Sequence, residues 1–421
     1  MGFELIDFFV NKEAVKKQSS LFSIFLTFAV DNLGATIVFP IFAPLFLEPE
    51  KGLLGASVSL TYKTVMLGIF LGIFPFVQFF LAPVLGEYAD HHGRKRALLL
   101  TTFLTFVGYV LSAWSIHHHS LFWIFISRVV MGVGAGNLSI CLSSLSDLSP
   151  SPKKKVRYYS YGSAIAGLTF ILGPFIGGKL SDPNVNPLFD SSFPMFIGGL
   201  LGLFNVLFIL FGFSETIKSI SKTRFDFVKG IHNIQMALHT PSIKNLYLIY
   251  FFYLFSWNII FLFVPAFVVQ EFHLSNSVIG DICAIMGICW IIGTGIIHRL
   301  LYKLFHPKWV LIFSLLIYAC LVVFVPYPYH LRYFIVILGI CTTLSGLVWP
   351  LCTGAISNAA PPEIQGKVLG LSQSMLSLTM MLSALIGGLF LHAHTLIPFV
   401  ISAISTLVAL IILLKTKIVY H

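Results

Sequence analysis

Gly86-Glu87-Tyr88-Ala89-Asp90-His91-His92-Gly93-Arg94-Lys95-Arg96 is a short charged stretch, bounded by glycine, between two apolar runs, 64–85 and 97–116. Each run is long enough to cross a bilayer, which takes about 20 helical residues. The connection is too short for a soluble domain, so it reads as a tight turn at a membrane face. Its cations and its two carboxylates, Glu87 and Asp90, need water or each other.

Outward from this turn the same pattern repeats. Of 421 residues, 57% are hydrophobic and 10% charged, and the mean hydropathy is +0.91. A soluble domain carries about 25% charged residues. This chain cannot hide so much apolar side chain in water, so lipid is its solvent. Twelve spans follow: about 20–46, 64–85, 97–116, 121–142, 158–180, 193–213, 244–269, 278–297, 308–325, 333–357, 368–391 and 396–414. Backbone polar groups in lipid must be satisfied within the segment, so the spans are helices and the protein is all-α. The first apolar run, from Leu21, is too long for a signal-peptide core and follows a polar head. That head, 3–15, is amphipathic; it rests on the membrane surface or frays.

The net charge of +10 reads as membrane topology rather than nucleic-acid binding. With the N-terminus inside, 21 of the 26 Lys and Arg fall on the cytoplasmic side and four (Lys51, Lys63, Lys179, Arg332) on the outer side. Arg128 remains inside a span. The excess places both termini in the cytoplasm, in a plasma or inner membrane. The longest connection, 214–243, divides the spans six and six. The expected organisation is a six-helix bundle over 1–213, a cytoplasmic central loop over 214–243 and a second bundle over 244–421. Within the loop, 225–238 is amphipathic enough to lie on the inner leaflet. The halves echo each other: a shift of 210 residues pairs Gly136 with Gly346 and Gly177-Gly178 with Gly387-Gly388, as a duplicated unit would.

Polar exceptions inside apolar spans carry the chemistry. Among sixteen carboxylates, Asp31 alone falls deep within a span. Arg128 is the matching cation, entering span 4 from the opposite face. At about 1.5 Å per residue, Asp31 lies roughly 16 Å and Arg128 roughly 20 Å above the inner boundary of a core about 30 Å thick. Both sit near the midplane, where substrate and coupling-ion sites of transporters lie. Apolar surroundings favour a neutral carboxyl and a nearby guanidinium favours a charged one. A conformational change in either would move a proton, with Asp31 the carrier and Arg128 the tuner. A buried pair that only fixes helix packing is the alternative. Asn32, Asn137, Tyr161, Trp257, Asn258, Trp349 and Gln373 are candidate cavity groups, since a cavity needs a few polar groups among aromatic walls. Each could instead bond a neighbouring helix.

The spacing Gly86-x-x-x-Asp90-x-x-Gly93-Arg94-Lys95 resembles the signature between helices 2 and 3 of the major facilitator superfamily of secondary transporters. The family usually has Arg after the Asp; here it is His91. Asp31-x-x-Gly34…Pro40-x-x-x-Pro44 and Arg128-x-x-x-Gly132-x-Gly134-Ala135-Gly136 look like spans 1 and 4 of its twelve-helix drug:proton antiporters, tetracycline exporters included. Gly173-Pro174-Phe175-Ile176-Gly177-Gly178 looks like the end of their span 5 motif, although Thr169 and Ser160 stand where further glycines are usual. The resemblance implies an inner gate in which Asp90 faces the start of span 11 near Gly366 and Arg94 pairs with Asp147. It also implies a kinked seam at Gly173, Pro174, Gly177 and Gly178, packed on span 8 or 11.

The expected function is alternating-access transport of a small molecule, by proton-coupled antiport export. Import of a nutrient or metal chelate, and a non-transporting receptor or scaffold, are the alternatives. The expected partners are a small-molecule substrate, protons and the bilayer, with no nucleic acid and no cofactor, and the protein is a monomer. His117-His118-His119 reads as a solvated turn rather than a metal site. No P-loop, Gly-x-Ser-x-Gly, His-Glu-x-x-His or Cys-x-x-Cys pattern occurs, so the chain is not read as an enzyme.

Overall fold

The computed structural model describes residues 2–48, 52–217, 241–327, 330–359 and 365–416. The middle of the 214–243 connection, with its 225–238 stretch, and the side chains about Gly366 lie outside the described residues. Everything regular among those described is helical. Among the described residues eleven helices are long and apolar enough to cross a membrane, and a twelfth, Pro307–Val322, is shorter. Large apolar side chains on their outer faces, such as Phe122, Phe211 and Leu304, are exposed; lipid is the solvent that tolerates them.

Span 1 is Gly2–Thr36 followed, after a turn at Ile37-Val38, by Phe39–Leu47. The amphipathic head is therefore continuous with the membrane helix rather than a separate piece. Pro40, at the start of the second helix, explains the break, because proline lacks the N–H that would continue the ladder; Pro44 lies inside that helix. Span 2 is Leu60–His92 and span 3 is Arg94–His117. The charged stretch is thus the ends of two helices, with Gly93 alone between them. Span 4 is Leu121–Gly134 and Asn137–Asp147, broken at Ala135-Gly136. Span 5 is Pro152–Leu180, with Pro174 inside it, and span 6 is Phe193–Gly212.

Span 7 is Pro241–Phe272, almost wholly buried, as suits a helix apolar on every side. Span 8 begins as Asn276–Ile291, widens into a π-helix over Ile292–Ile297, and ends as His298–Leu304. Spans 9 to 12 are Pro307–Val322, Leu331–Ala359, Gln365–Leu391 and Ile397–Lys415.

By contacts the chain groups into two compact units. The first holds 1–36, 77–173 and 191–229; the second holds 37–76, 174–190 and 230–421. In the first, span 3 packs on spans 4 and 6, and span 1 on the same two. Tyr109 of span 3 is fully buried there, its ring filling the space a Cβ on Gly198 of span 6 would need. In the second, span 7 packs on spans 10, 11 and 12, and Phe39–Leu47 packs on spans 7 and 8. Phe39 meets Phe261 edge-on at 4.8 Å.

Candidate functional site

Two broken helices build the first group. Asn137 opens the second helix of span 4 and is fully buried. Its Nδ2 donates to Asp31 Oδ1 at 3.3 Å. Asp31 is half-buried, in the first helix of span 1. Arg128, one of the largest fully buried side chains, lies in the first helix of span 4. Its Nη1 donates to the carbonyl of Gly34 at 3.4 Å. Span 4 thus brings an amide and a guanidinium to one turn of span 1, 31–34, from either side of its own break. Gly34 has a local reason: a Cβ there would lie 2.9 Å from the Tyr109 hydroxyl, which donates to the Val30 carbonyl at 3.2 Å. Asn32 does not share in this; its Nδ2 donates to the Phe28 carbonyl of its own helix at 2.8 Å.

The second group sits where spans 2 and 3 meet. Arg94, 8% exposed, bonds Asp90 Oδ1 through Nη1 at 2.6 Å and Asp147 Oδ2 through Nε at 3.5 Å. Asp147 also accepts from the Thr216 hydroxyl at 3.3 Å. Glu215, just past span 6, takes the N–H groups of Arg94 at 3.0 Å and Lys95 at 3.1 Å. It therefore caps span 3, whose first N–H groups have no partner within their own helix. Burial pushes the Glu215 carboxyl up, but the backbone N–H bonds from Ile217, Lys95, Arg94 and Thr216 outweigh it and hold the group below its usual range. Gly93 has φ +96°, a conformation glycine adopts without strain. Gly86 faces Ser139, whose Oγ would lie 3.1 Å from an added Cβ. Glu215 and Thr216 were not legible beforehand: a single acid in a polar connection carries no signal, and its partner lies 120 residues away.

The third group is the span 5 seam. Gly173, Pro174, Gly177 and Gly178 are all buried. A Cβ on Gly177 would run into the Ile37 carbonyl, and one on Gly178 would lie 2.8 Å from Gly280 Cα in span 8.

The remaining sequence candidates scatter. Tyr161 is exposed, its hydroxyl accepting from Arg157 Nε at 2.6 Å. Trp257 is 5% exposed against Phe261. Asn258 is 6% exposed and donates to Thr379 Oγ1 in span 11 at 3.0 Å. Trp349 is half-buried and meets the rings of Tyr250 and Trp290, each at 5.8 Å. The Gln373 carbonyl accepts from Ser377 Oγ at 3.5 Å. His117, His118 and His119 are exposed.

The sequence profile of the Major Facilitator Superfamily matches residues 24–244 and 246–418. The class H tetracycline resistance protein of Pasteurella multocida is 26% identical over 386 residues, 89% of this chain and 90% of that protein. The crystal structure of a D-xylose-proton symporter superposes with TM-score 0.75 at 14% identity, covering 94% of this chain and 97% of the other. That of the human organic anion transporter MFSD10 (TETRAN) gives TM-score 0.68 at 20% identity, covering 94% and 99%. With the helical fold and a profile match spanning nearly the whole length, the chain belongs to the Major Facilitator Superfamily and is a multi-pass membrane transporter of small molecules.

Proposed function

We propose that this transporter exports a small amphipathic compound in exchange for protons, by alternating access between a six-helix half over 1–213 and another over 244–421. It works as a monomer in a plasma or inner membrane, with both termini in the cytoplasm. The observation that carries this reading is Asp31, a half-buried carboxylate in mid-span that accepts from Asn137 one turn from the carbonyl that Arg128 holds. An intramembrane ionisable group is costly and by default functional. Ionised Asp31 takes a charge-assisted bond from Asn137, stronger than a neutral one. Protonation weakens that bond. The change loosens the hold of span 4 on the 31–34 turn, so proton uptake is linked to movement of span 1 against span 4. The likeness to a tetracycline resistance protein over most of both chains supports export of an amphipathic compound.

Asp90, Arg94 and Asp147 form the cytoplasmic gate, with Gly86 and Gly93 allowing close passage of the chain. Their charge-based contacts join a buried guanidinium to partly exposed carboxylates, which water reaches as the contacts are remade in each cycle. Gly173, Pro174, Gly177 and Gly178 form a seam that closes the other side. Of the cavity candidates, Asn32, Tyr161, Trp349 and Gln373 are favoured, because each keeps some exposure while Asn137, Trp257 and Asn258 are buried.

The test is transport in proteoliposomes under an imposed proton gradient. Asp31→Asn should abolish gradient-driven movement while retaining some exchange; full gradient-driven transport by this variant refutes the carrier role. In cells, collapsing the gradient should raise compound accumulation. A fall would indicate symport import, and no change facilitation. Cysteine probes near Asp31 that never become reachable from both sides would indicate a receptor or scaffold.

A further inference from the structure

Spans 5 and 8 cross at bare backbone. A Cβ on Gly178 would lie 2.5 Å from the Asn276 carbonyl, and one on Gly280 would lie 2.7 Å from the Pro174 carbonyl. Gly68 of span 2 and Gly388 of span 11 make a matching crossing, where a Cβ on Gly388 would lie 2.6 Å from Gly68 Cα. The 210-residue repeat pairs Gly178 with Gly388, whereas Gly68 and Gly280 are two positions out of that register. One turn along span 2, Gly72 meets Ala384, Leu385 and Met381. Small residues and apolar neighbours therefore suffice to bring such helices together in lipid.

The first crossing carries more than that. Lys179 Nζ bonds Asp281 Oδ2 at 2.7 Å and Ser277 Oγ at 2.8 Å. Asn276 Nδ2 donates to Ser181 Oγ at 3.1 Å. Asp182, 2% exposed, accepts the Ser277 N–H at 3.1 Å through Oδ2. Span 8 starts at Asn276, so a carboxylate from beyond the end of span 5 caps span 8. Burial pushes the Asp182 carboxyl up, but bonds from Ser275, Asn184 and Ser277 prevail and hold it below its usual range, so the cap stays charged in mildly acidic surroundings. By the alternation of spans, this cluster lies at the membrane face opposite the 86–96 turn. Lys179 is one of only four cations that the charge count assigns to that face.

We propose that Lys179, Asp182 and Asp281 form a latch that holds spans 5 and 8 together at the outer face and must open in each transport cycle. The latch rests on the transport reading. Its contacts between spans 5 and 8 are hydrogen bonds, an ion pair and glycine approaches, and Lys179 Nζ also lies 5.5 Å from the Phe175 ring of its own span. Water can replace the polar contacts when spans part, and the glycines leave little apolar side chain to expose. An ion pair, a borrowed helix cap and bare backbone at one point make a joint that closes tightly and opens at little cost. The counterpart on the other face is the Asp90, Arg94 and Asp147 group, also charge-based.

The experiment follows Cys283, fully buried on span 8 just below Asp281, kept as the sole cysteine. Its reaction with a membrane-impermeant maleimide added from outside is measured for Lys179→Ala, Asp281→Asn, Asp182→Asn, Gly178→Ala and the charge exchange Lys179→Asp with Asp281→Lys. Each single change should raise the labelling rate about two- to fivefold, the order by which a lost, partly exposed pair shifts a two-state population. The exchange should bring the rate back to within about twofold of the parent. Gly178→Ala, which wedges the crossing while leaving the charges in place, should act like the charge variants. Folding is checked by monodispersity. If folded Lys179→Ala and Gly178→Ala both label at the parent rate, the latch is refuted, even while Asp31-dependent transport persists. Labelling needs no transported compound. Faster labelling with no transport of any compound would therefore fault the transport reading while upholding the contact that holds spans 5 and 8 closed.

Discussion

Gly93→Ala and Glu215→Ala should not add. Gly93 has φ +96° and ψ 148°, where a residue with a side chain is strained by about 1–3 kcal/mol. An added Cβ would also lie 2.5 Å from Glu215 Oε2 and 3.2 Å from its Cδ. The carboxylate would have to leave its place on the Arg94 and Lys95 N–H groups. Losing such a cap costs about 0.5–2 kcal/mol, and the lower half of that range fits an exposed carboxylate. Glu215→Ala alone should therefore cost about 1 kcal/mol, and Gly93→Ala about 2–4 kcal/mol from strain and lost cap together. With the cap already gone, alanine at 93 adds strain alone, so the double variant should be less destabilised than the sum by about 1 kcal/mol. Equilibrium unfolding in mixed micelles, run on all four proteins, reads this coupling. Additivity within about 0.3 kcal/mol would refute the claim that the glycine exists to admit the carboxylate.

The same cap should respond to acid. The folded state lowers the proton affinity of Glu215. Its contribution is thus complete above the usual glutamate range and is lost as pH falls through the folded value. The stability gap between the parent and Glu215→Gln should be full at neutral pH and should close in acid; a gap that widens in acid contradicts the assignment. In the second unit, Thr379→Val leaves the buried Asn258 amide without its acceptor and should cost about 1–3 kcal/mol. Combining it with Asn258→Leu, which removes both polar partners, should cost less than Thr379→Val alone in the same unfolding assay.

Much of the membrane fold was legible because lipid imposes a simple rule. A helix that crosses it needs about 20 apolar residues, and the runs between charged turns are that long. Span 1 was read as one run over 20–46, and the structure breaks it at Ile37-Val38, just before Pro40. The pairing of Arg94 with Asp147, expected from resemblance, is present. Other features carry no local trace. The π-helix at Ile292–Ile297 accompanies the close packing of Gly293 against Thr343 and Gly346 in span 10. No pattern within 292–297 announces that contact. Asn258 and Trp349 looked alike as polar or aromatic exceptions in apolar spans. One is sealed against Thr379 and the other is half-buried among rings, a difference set by helix rotation.

Composition and spacing determined an all-helical membrane protein with a charged turn after its second span and a lone carboxylate in its first, and the resemblance of its motifs added that it is a transporter. Hydropathy and charge order act residue by residue, and the bilayer reads them without reference to partners. The tertiary structure alone decided that Asn137 and Arg128 grip one turn of span 1, that Glu215 caps span 3, and that Asp182 caps span 8. These contacts join residues roughly 95 to 120 positions apart. They exist only once helices have chosen their rotation and depth, which packing between helices sets.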